Sequence, residues 1–178
     1  MTSPTDVLRE EHRVILRALA LLEAAAGRLA RTEALPDGWW DRLIGWLRAF
    51  ADLNHHAKEE RYLFPALVKA GVPSEGGPVA VMLGEHVEGR AFIQAMQADR
   101  VSRRVDAARR YTQLLRDHID KENGVLFPLA EAVLEERAQQ ALAREFETLE
   151  AEQGRAASLE YAEAEVERLQ TALGGPPA

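Results

Sequence analysis

Two histidine–glutamate segments, each running into Phe-Pro, constrain this chain more than anything else in it. The first reads His55-His56-Ala57-Lys58-Glu59-Glu60-Arg61-Tyr62-Leu63-Phe64-Pro65 and the second His118-Ile119-Asp120-Lys121-Glu122-Asn123-Gly124-Val125-Leu126-Phe127-Pro128. In each, a histidine stands four residues before a glutamate. On an α-helix that spacing puts both side chains on one face, about one turn apart. Two such faces turned toward each other set two imidazoles and two carboxylates around a shared point. That is the outline of a metal site, provided the rest of the chain supplies helices to enclose it.

The chain is rich in Ala, Leu, Glu and Arg, all strong helix formers, and no convincing alternating strand pattern occurs. Ser3-Pro4 marks a helix start, after which Leu8, His12, Ile15, Leu19, Leu22, Ala26 and Leu29 form one narrow apolar face. Ala34 to Gly38 reads as a turn. A second helix shows Trp39, Leu43, Trp46, Phe50, Leu53, Ala57, Glu60, Phe64 and Leu67 in the same three-four rhythm, with a kink or tightening expected at Pro65. Gly71 to Pro78 is the clearest linker. A third helix carries Val79, Met82, His86, Gly89, Ile93 and Met96 on its seam, and the next connection is expected within Asp99 to Asp106. A fourth carries Ala108, Tyr111, Leu115, His118, Glu122, Leu126 and Leu129. Gly124 and Pro128 predict a bulge just after its His/Glu pair, matching a one-residue insertion relative to the first copy.

The expected fold is therefore all-α: an antiparallel up-down four-helix bundle over residues 1–135. A looser pattern with Leu142, Phe146, Leu149, Leu159, Val166 and Leu169 predicts one or two additional C-terminal helices over 136–173, broken near Gly154 and packed on the bundle. Residues 174–178, Gly-Gly-Pro-Pro-Ala, are expected to be a disordered tail.

Each of the four core helices thus presents a histidine on its apolar seam: His12, His56, His86 and His118. Glu60 and Glu122 follow two of them one turn on. In the second helix the rival pair His55/Glu59 has the same spacing and another direction. One heptad back from it lie the polar Arg48 and Asp52, so the periodicity selects His56/Glu60 as inward. A single seam histidine is usually a hydrogen-bonded core residue, but buried carboxylates must be paired, protonated or metal-bound. The candidate metal ligands are His12, His56, Glu60, His86, His118 and Glu122. Arg90 is the nearest cation available to pair with the glutamates. The set is imidazole and carboxylate without sulfur, which suits iron, with manganese or zinc as alternatives. Two bridging glutamates from opposite helices imply two ions.

Composition removes other classes. No cysteine is present, which excludes disulfides and thiolate sites, and a formal charge of −7 argues against a nucleic-acid partner. The five arginines between Arg100 and Arg110 read as a solvated helix start. No signal peptide and no membrane-length apolar run is visible, so no membrane partner is expected and a cytoplasmic location is the default.

The pattern resembles the hemerythrin-like family, or HHE cation-binding domains. Glu11-His12, His55-His56-Ala57-Lys58-Glu59-Glu60 with Leu63-Phe64-Pro65, Glu85-His86, and His118-Ile119-Asp120-Lys121-Glu122 with Leu126-Phe127-Pro128 carry the likeness, over roughly residues 5 to 135. The resemblance implies an up-down bundle around two non-heme iron ions bridged by oxo, hydroxo or water. Glu60 and Glu122 would bridge them, with His12, His56, His86 and His118 as terminal ligands. Oxygen-carrying hemerythrins have five histidines, two of them one turn apart on the third helix; here that second position holds Arg90. An open coordination position follows, with His55, Glu59, Glu11, Glu85 and Tyr161 as further possible ligands. The expected function is binding or activation of a small ligand, O2, peroxide or nitric oxide. The alternatives are a peroxide-decomposing or nitric-oxide-handling enzyme, and a non-catalytic iron-holding module. Tyr111, on the seam two turns before His118, stands where its hydroxyl could reach a bound oxygen species or simply fill the core.

Overall fold

A computed structural model describes residues 3–174. The part of the expected tail beyond Gly174 lies outside the described residues. Among the described residues there is no strand.

Helix α1 spans Pro4–Ala30, and its start is chemical: the Ser3 hydroxyl accepts the Asp6 N–H at 3.1 Å, and Pro4 sits where no intrahelical N–H is needed. After a turn closed by Gly38 in the left-handed region (φ 68°), a single helical run extends from Trp39 to Lys69. It is not α-helical throughout. Helix α2 (Trp39–Trp46) gives way to a π-helical segment π1 (Leu47–His56) and a second, π2 (Glu59–Leu63), before α3 (Phe64–Lys69) resumes the α pitch. Helix α4 (Pro78–Ala95) follows the glycine-rich linker. The last run of the core comprises α5 (Val101–Lys121), π3 (Glu122–Leu126) and α6 (Phe127–Val133). The connection before it runs over residues 96–100, beginning ahead of the expected 99–106 and overlapping its start.

The two Phe-Pro segments produce the same local structure. Proline lacks an N–H, and its ring would strike the carbonyl four residues back in a regular helix. In both runs the turn ahead of it widens. The Phe64 N–H donates to the Glu59 carbonyl, and the Phe127 N–H to the Glu122 carbonyl, each five residues back. The bulge expected at Gly124 and Pro128 is present, and the first copy has one too. A widened turn consumes an extra residue, so the face presented inward shifts along the sequence.

Helices α7 (Glu136–Gln153) and α8 (Leu159–Ala172) follow, separated by Gly154 at φ 75° and a short 3-10 turn, Arg155–Ala157. Helix α5 packs along α1 and α4, π1 lies against both α1 and α4, α7 contacts α1, π1 and π2, and α8 lies on α1 and α2. The apolar interior falls into two parts. One gathers Ile15, Leu19, Leu22, Leu43, Phe50, Tyr111, Leu115 and the α8 residues Val166 and Leu169. The other gathers Leu8, Leu63, Phe64, Leu67, Met82, Leu126, Phe127 and Phe146. Between Leu8 and Ile15, Phe50 and Leu63, Met82 and Ile93, and Leu115 and Leu126, every run passes through a buried polar layer. Among the described residues no helix is long and apolar enough to cross a membrane.

Candidate metal centre

The polar layer contains all five histidines, each almost completely buried, with Glu59 and Glu122 fully buried beside them. Their donor atoms fall into two adjoining nests. His56, His86 and His118 meet Glu59 in one; His12, His55, Glu59 and Glu122 meet in the other, with all donor atoms of each nest within 4.8 Å of one another. The carboxylates span both. Glu59 directs Oε1 to His55 Nε2 at 3.5 Å and Oε2 to His86 Nε2 at 3.4 Å. Glu122 directs Oε2 to His12 Nε2 at 3.1 Å and Oε1 to His118 Nε2 at 3.3 Å. His86 Nε2 and His118 Nε2 lie 3.1 Å apart, aimed at one spot.

Around this layer a second set of side chains fixes the rings. His12 Nδ1–H donates to Asn123 Oδ1 (3.0 Å), His55 Nδ1–H to Glu11 (2.8 Å), His86 Nδ1–H to Glu60 (2.7 Å) and His118 Nδ1–H to Glu85 (2.9 Å). An Nδ1–H so engaged leaves the Nε2 lone pair free, which is how ligating histidines are oriented and made more basic. The fifth ring, His56, has Nδ1 at 3.6 Å from Asp52, an ion-pair separation too long for a hydrogen bond. Asp52 and Glu60 are both held by Arg90 at 2.7 Å. Phe127 stacks on His12 and Phe64 on His86, with centroids 5.4 and 5.8 Å apart, sealing one side of each ring.

The inner atoms lack partners of their own. His12 Nε2, His55 Nε2 and all four oxygens of Glu59 and Glu122 are buried without a hydrogen bond. Leaving a buried carboxylate uncompensated costs several kcal/mol, so the layer is built for a cation. Its charges respond accordingly. Burial alone would depress His86, but the neighbouring Glu59 and Glu60 carboxylates, the second accepting its Nδ1–H, hold it up at about 9. Burial also opposes protonation of His55 and His118, which are nonetheless raised by Glu59 and Glu11, and by Glu122. Glu122 is held well below its usual range by His118 and His12 against its own burial. His56, desolvated and crowded by His86, is pushed well below the ordinary imidazole value. A metal ion would supply the positive charge that these carboxylates favour, and would take the rings as neutral donors. The donor set, nitrogen and oxygen without sulfur, fits iron, manganese or zinc.

Of the residues expected from the sequence, His12, His56, His86, His118 and Glu122 come together in this layer. Glu60 does not. It is partly exposed and turned outward, where it holds His86 and pairs with Arg90; Glu59 occupies the inner position. His55, expected to face away, is inward. The cause is π1: the seam holds through Phe50, then Leu53 is 52% exposed and the inner line continues through His55, Glu59, Leu63 and Leu67. Glu11 and Glu85 hold ring nitrogens rather than entering the nests. Tyr161 lies on α8 beneath Arg155, at 5.2 Å. Gly89 sets α4 against the Tyr111 ring, where an added Cβ would meet Cε2 at 3.6 Å, so close packing accounts for it. Tyr111 itself is buried, its hydroxyl unpaired and its pKa pushed up by desolvation. Lys58, unremarked in the sequence, is fully buried. The signal for both His55 and Glu59 lay in counting back from Phe-Pro without a gap: His55, Lys58, Glu59 and Leu63 then match His118, Lys121, Glu122 and Leu126.

The uncharacterized protein Rv1995 of Mycobacterium tuberculosis (strain ATCC 25618 / H37Rv) is 28% identical over 149 residues, covering 75% of this chain and 55% of that protein. The uncharacterized protein Mb2018 of Mycobacterium bovis (strain ATCC BAA-935 / AF2122/97) matches to the same extent. The chain spans about half the length of these curated relatives. An iron-sulfur cluster repair protein, YtfE, of Enterobacter sp. (strain 638) is 34% identical over 90 residues, 43% of this chain and 40% of that one. No solved structure matches the chain. The family model for the hemerythrin HHE cation binding domain matches residues 3–130, the span that contributes every histidine and both inner glutamates, and the chain belongs to that family.

Proposed function

We propose that this chain is a non-heme di-iron protein that binds a small ligand, O2, peroxide or nitric oxide, on an up-down antiparallel four-helix bundle. The observation that carries the reading is the double reach of Glu59 and Glu122, each sending one oxygen into each nest. Carboxylates in that attitude serve two ions at once. His56, His86 and His118 would hold one, His12 and His55 the other. Iron is preferred over manganese or zinc because the Enterobacter relative is named for iron-sulfur cluster repair. Bound iron would supply the Lewis-acid and redox chemistry.

The chain's own residues shape what can bind. Three imidazoles serve one nest and two the other, so the His12/His55 side has fewer protein donors and more room for an exogenous ligand. Phe127, stacked on His12, favours a small, weakly polar guest on that side. The 340 Å³ cleft nearby is lined by Arg48, Asp52, Arg90 and Gln94; Asp52 and Arg90 belong to the layer around the rings, and none of the four to the nests. Five inward histidines equal the number in oxygen-carrying hemerythrins, which favours ligand binding over peroxide or nitric oxide turnover.

Metal analysis and an absorption spectrum of the purified protein test the reading. Two irons per chain, with charge-transfer bands that move on adding azide, are expected. A folded protein that takes up no transition metal contradicts it. Rapid O2 evolution from peroxide without loss of iron would shift the assignment to an enzyme, and a large loss of thermal stability on chelation with no ligand response would shift it to a structural metal module.

A further inference from the structure

We infer that Glu150, on a helix beyond the matched family region, is a positioning residue for the His12/His55 nest, acting through Lys58 and Glu11. This rests on the metal-centre reading above. Lys58 is fully buried, and its ammonium lies between two carboxylates, Glu11 of α1 and Glu150 of α7. Glu11 is also buried and divides its oxygens: Oε1 accepts from Lys58 and from Asn54 Nδ2 (3.0 Å), while Oε2 accepts from His55 Nδ1 at 2.8 Å. Glu11 is therefore the group that aims His55, and its charge is shared with Lys58. Glu150 supplies the other half of the lysine's compensation.

The same end of α7 reaches the second run twice more. The Gln153 side-chain N–H donates to the Leu53 carbonyl inside π1, and Phe146 lies under the Lys58 ammonium, 5.8 Å from its ring centroid. Leu53 marks the place where the inward face changes register and brings His55 and Glu59 into the layer. Without the Glu150 charge, Lys58 draws on Glu11 alone, and the hydrogen bond that orients His55 is the one weakened. The opposite nest has no such dependence: Lys121, the counterpart of Lys58, pairs with Glu85 and is 41% exposed, so water can stand in.

Anaerobic titration of the metal-free full chain with ferrous iron tests this, comparing wild type with Glu150→Ala, the size-conserving Glu150→Gln, and Glu147→Ala as a control at an exposed position on the same helix. In both Glu150 variants one ion binds as in wild type and the other about tenfold or more weaker, the range seen when partners of ligating histidines are removed. Glu147→Ala matches wild type. A merely structural role for Glu150 would lower the melting temperature of the metal-free protein and leave both affinities unchanged, and that result overturns the inference. Two ions retained at wild-type affinity in Glu150→Gln does the same. A wild-type chain that takes up no iron overturns this inference and the functional proposal together; a wild-type chain with two ions and unaffected Glu150 variants overturns this inference alone.

Discussion

Aligned on their Phe-Pro ends, the two helix pairs of the layer answer each other residue for residue. His12 and Glu11 on α1 correspond to His86 and Glu85 on α4. His55, Lys58 and Glu59 of the second run correspond to His118, Lys121 and Glu122 of the last. The contacts repeat as well: Glu11 binds both His55 and Lys58, as Glu85 binds His118 and Lys121. Phe127 covers His12 as Phe64 covers His86. The instructive residues break the match. His56 stands where the other half has Ile119, and adds a third imidazole to one nest only. Glu60, which holds His86, stands where Asn123 holds His12, and Arg90 one turn after His86 stands where Leu16 follows His12. One half is thus richer in nitrogen and charge, and the other is left with fewer donors and a cover provided by α7.

Breaking what the halves share has the largest effect. Glu59→Ala removes an oxygen from both nests, and metal content is expected to fall from two ions to at most one, measured by elemental analysis. Glu60→Ala, by contrast, keeps both ions. Breaking what the α7 cover protects comes next. Lys58→Ala leaves Glu11 buried without its cation, at about 3–5 kcal/mol in denaturant unfolding, as for other broken buried pairs. His56→Ile makes the halves alike and is expected to weaken the ion at His86 and His118 by about 10–100-fold, with a changed visible spectrum. The smallest change is Lys121→Ala, whose pair with Glu85 is partly exposed; about 1 kcal/mol or less is expected, because such pairs are solvated and screened. A Lys121 effect as large as that of Lys58 would remove the asymmetry.

Much of this was legible in the amino-acid sequence. Ser3-Pro4, the turn ending at Gly38, the 71–78 linker and Gly154 set the helix limits because each acts locally through caps or glycine conformations. The seams of α1, α4 and α5 keep the α pitch, so His12, His86, His118 and Glu122 follow from simple periodicity. The second run does not keep it. Extending its rhythm from Trp39 through Leu53 to Glu60 assumes a constant residue count per turn, and π1 and π2 alter that count. A constant pitch therefore puts Glu60 inward and His55 outward, one residue out of step at the site itself. Pro65 announced the irregularity but not its length. Lys58 stayed invisible for another reason: its burial depends on α7, nearly a hundred residues away in sequence.

Two ions sharing Glu59 and Glu122 are what the proposed function requires. The most direct measurement is anomalous diffraction from crystals of the iron-loaded protein, collected at the iron edge. Two peaks are predicted, one among His56, His86 and His118 and one between His12 and His55, both in contact with Glu59 and Glu122. A single peak, a peak coordinated by Glu60 in place of Glu59, or no peak within the histidine layer would contradict it.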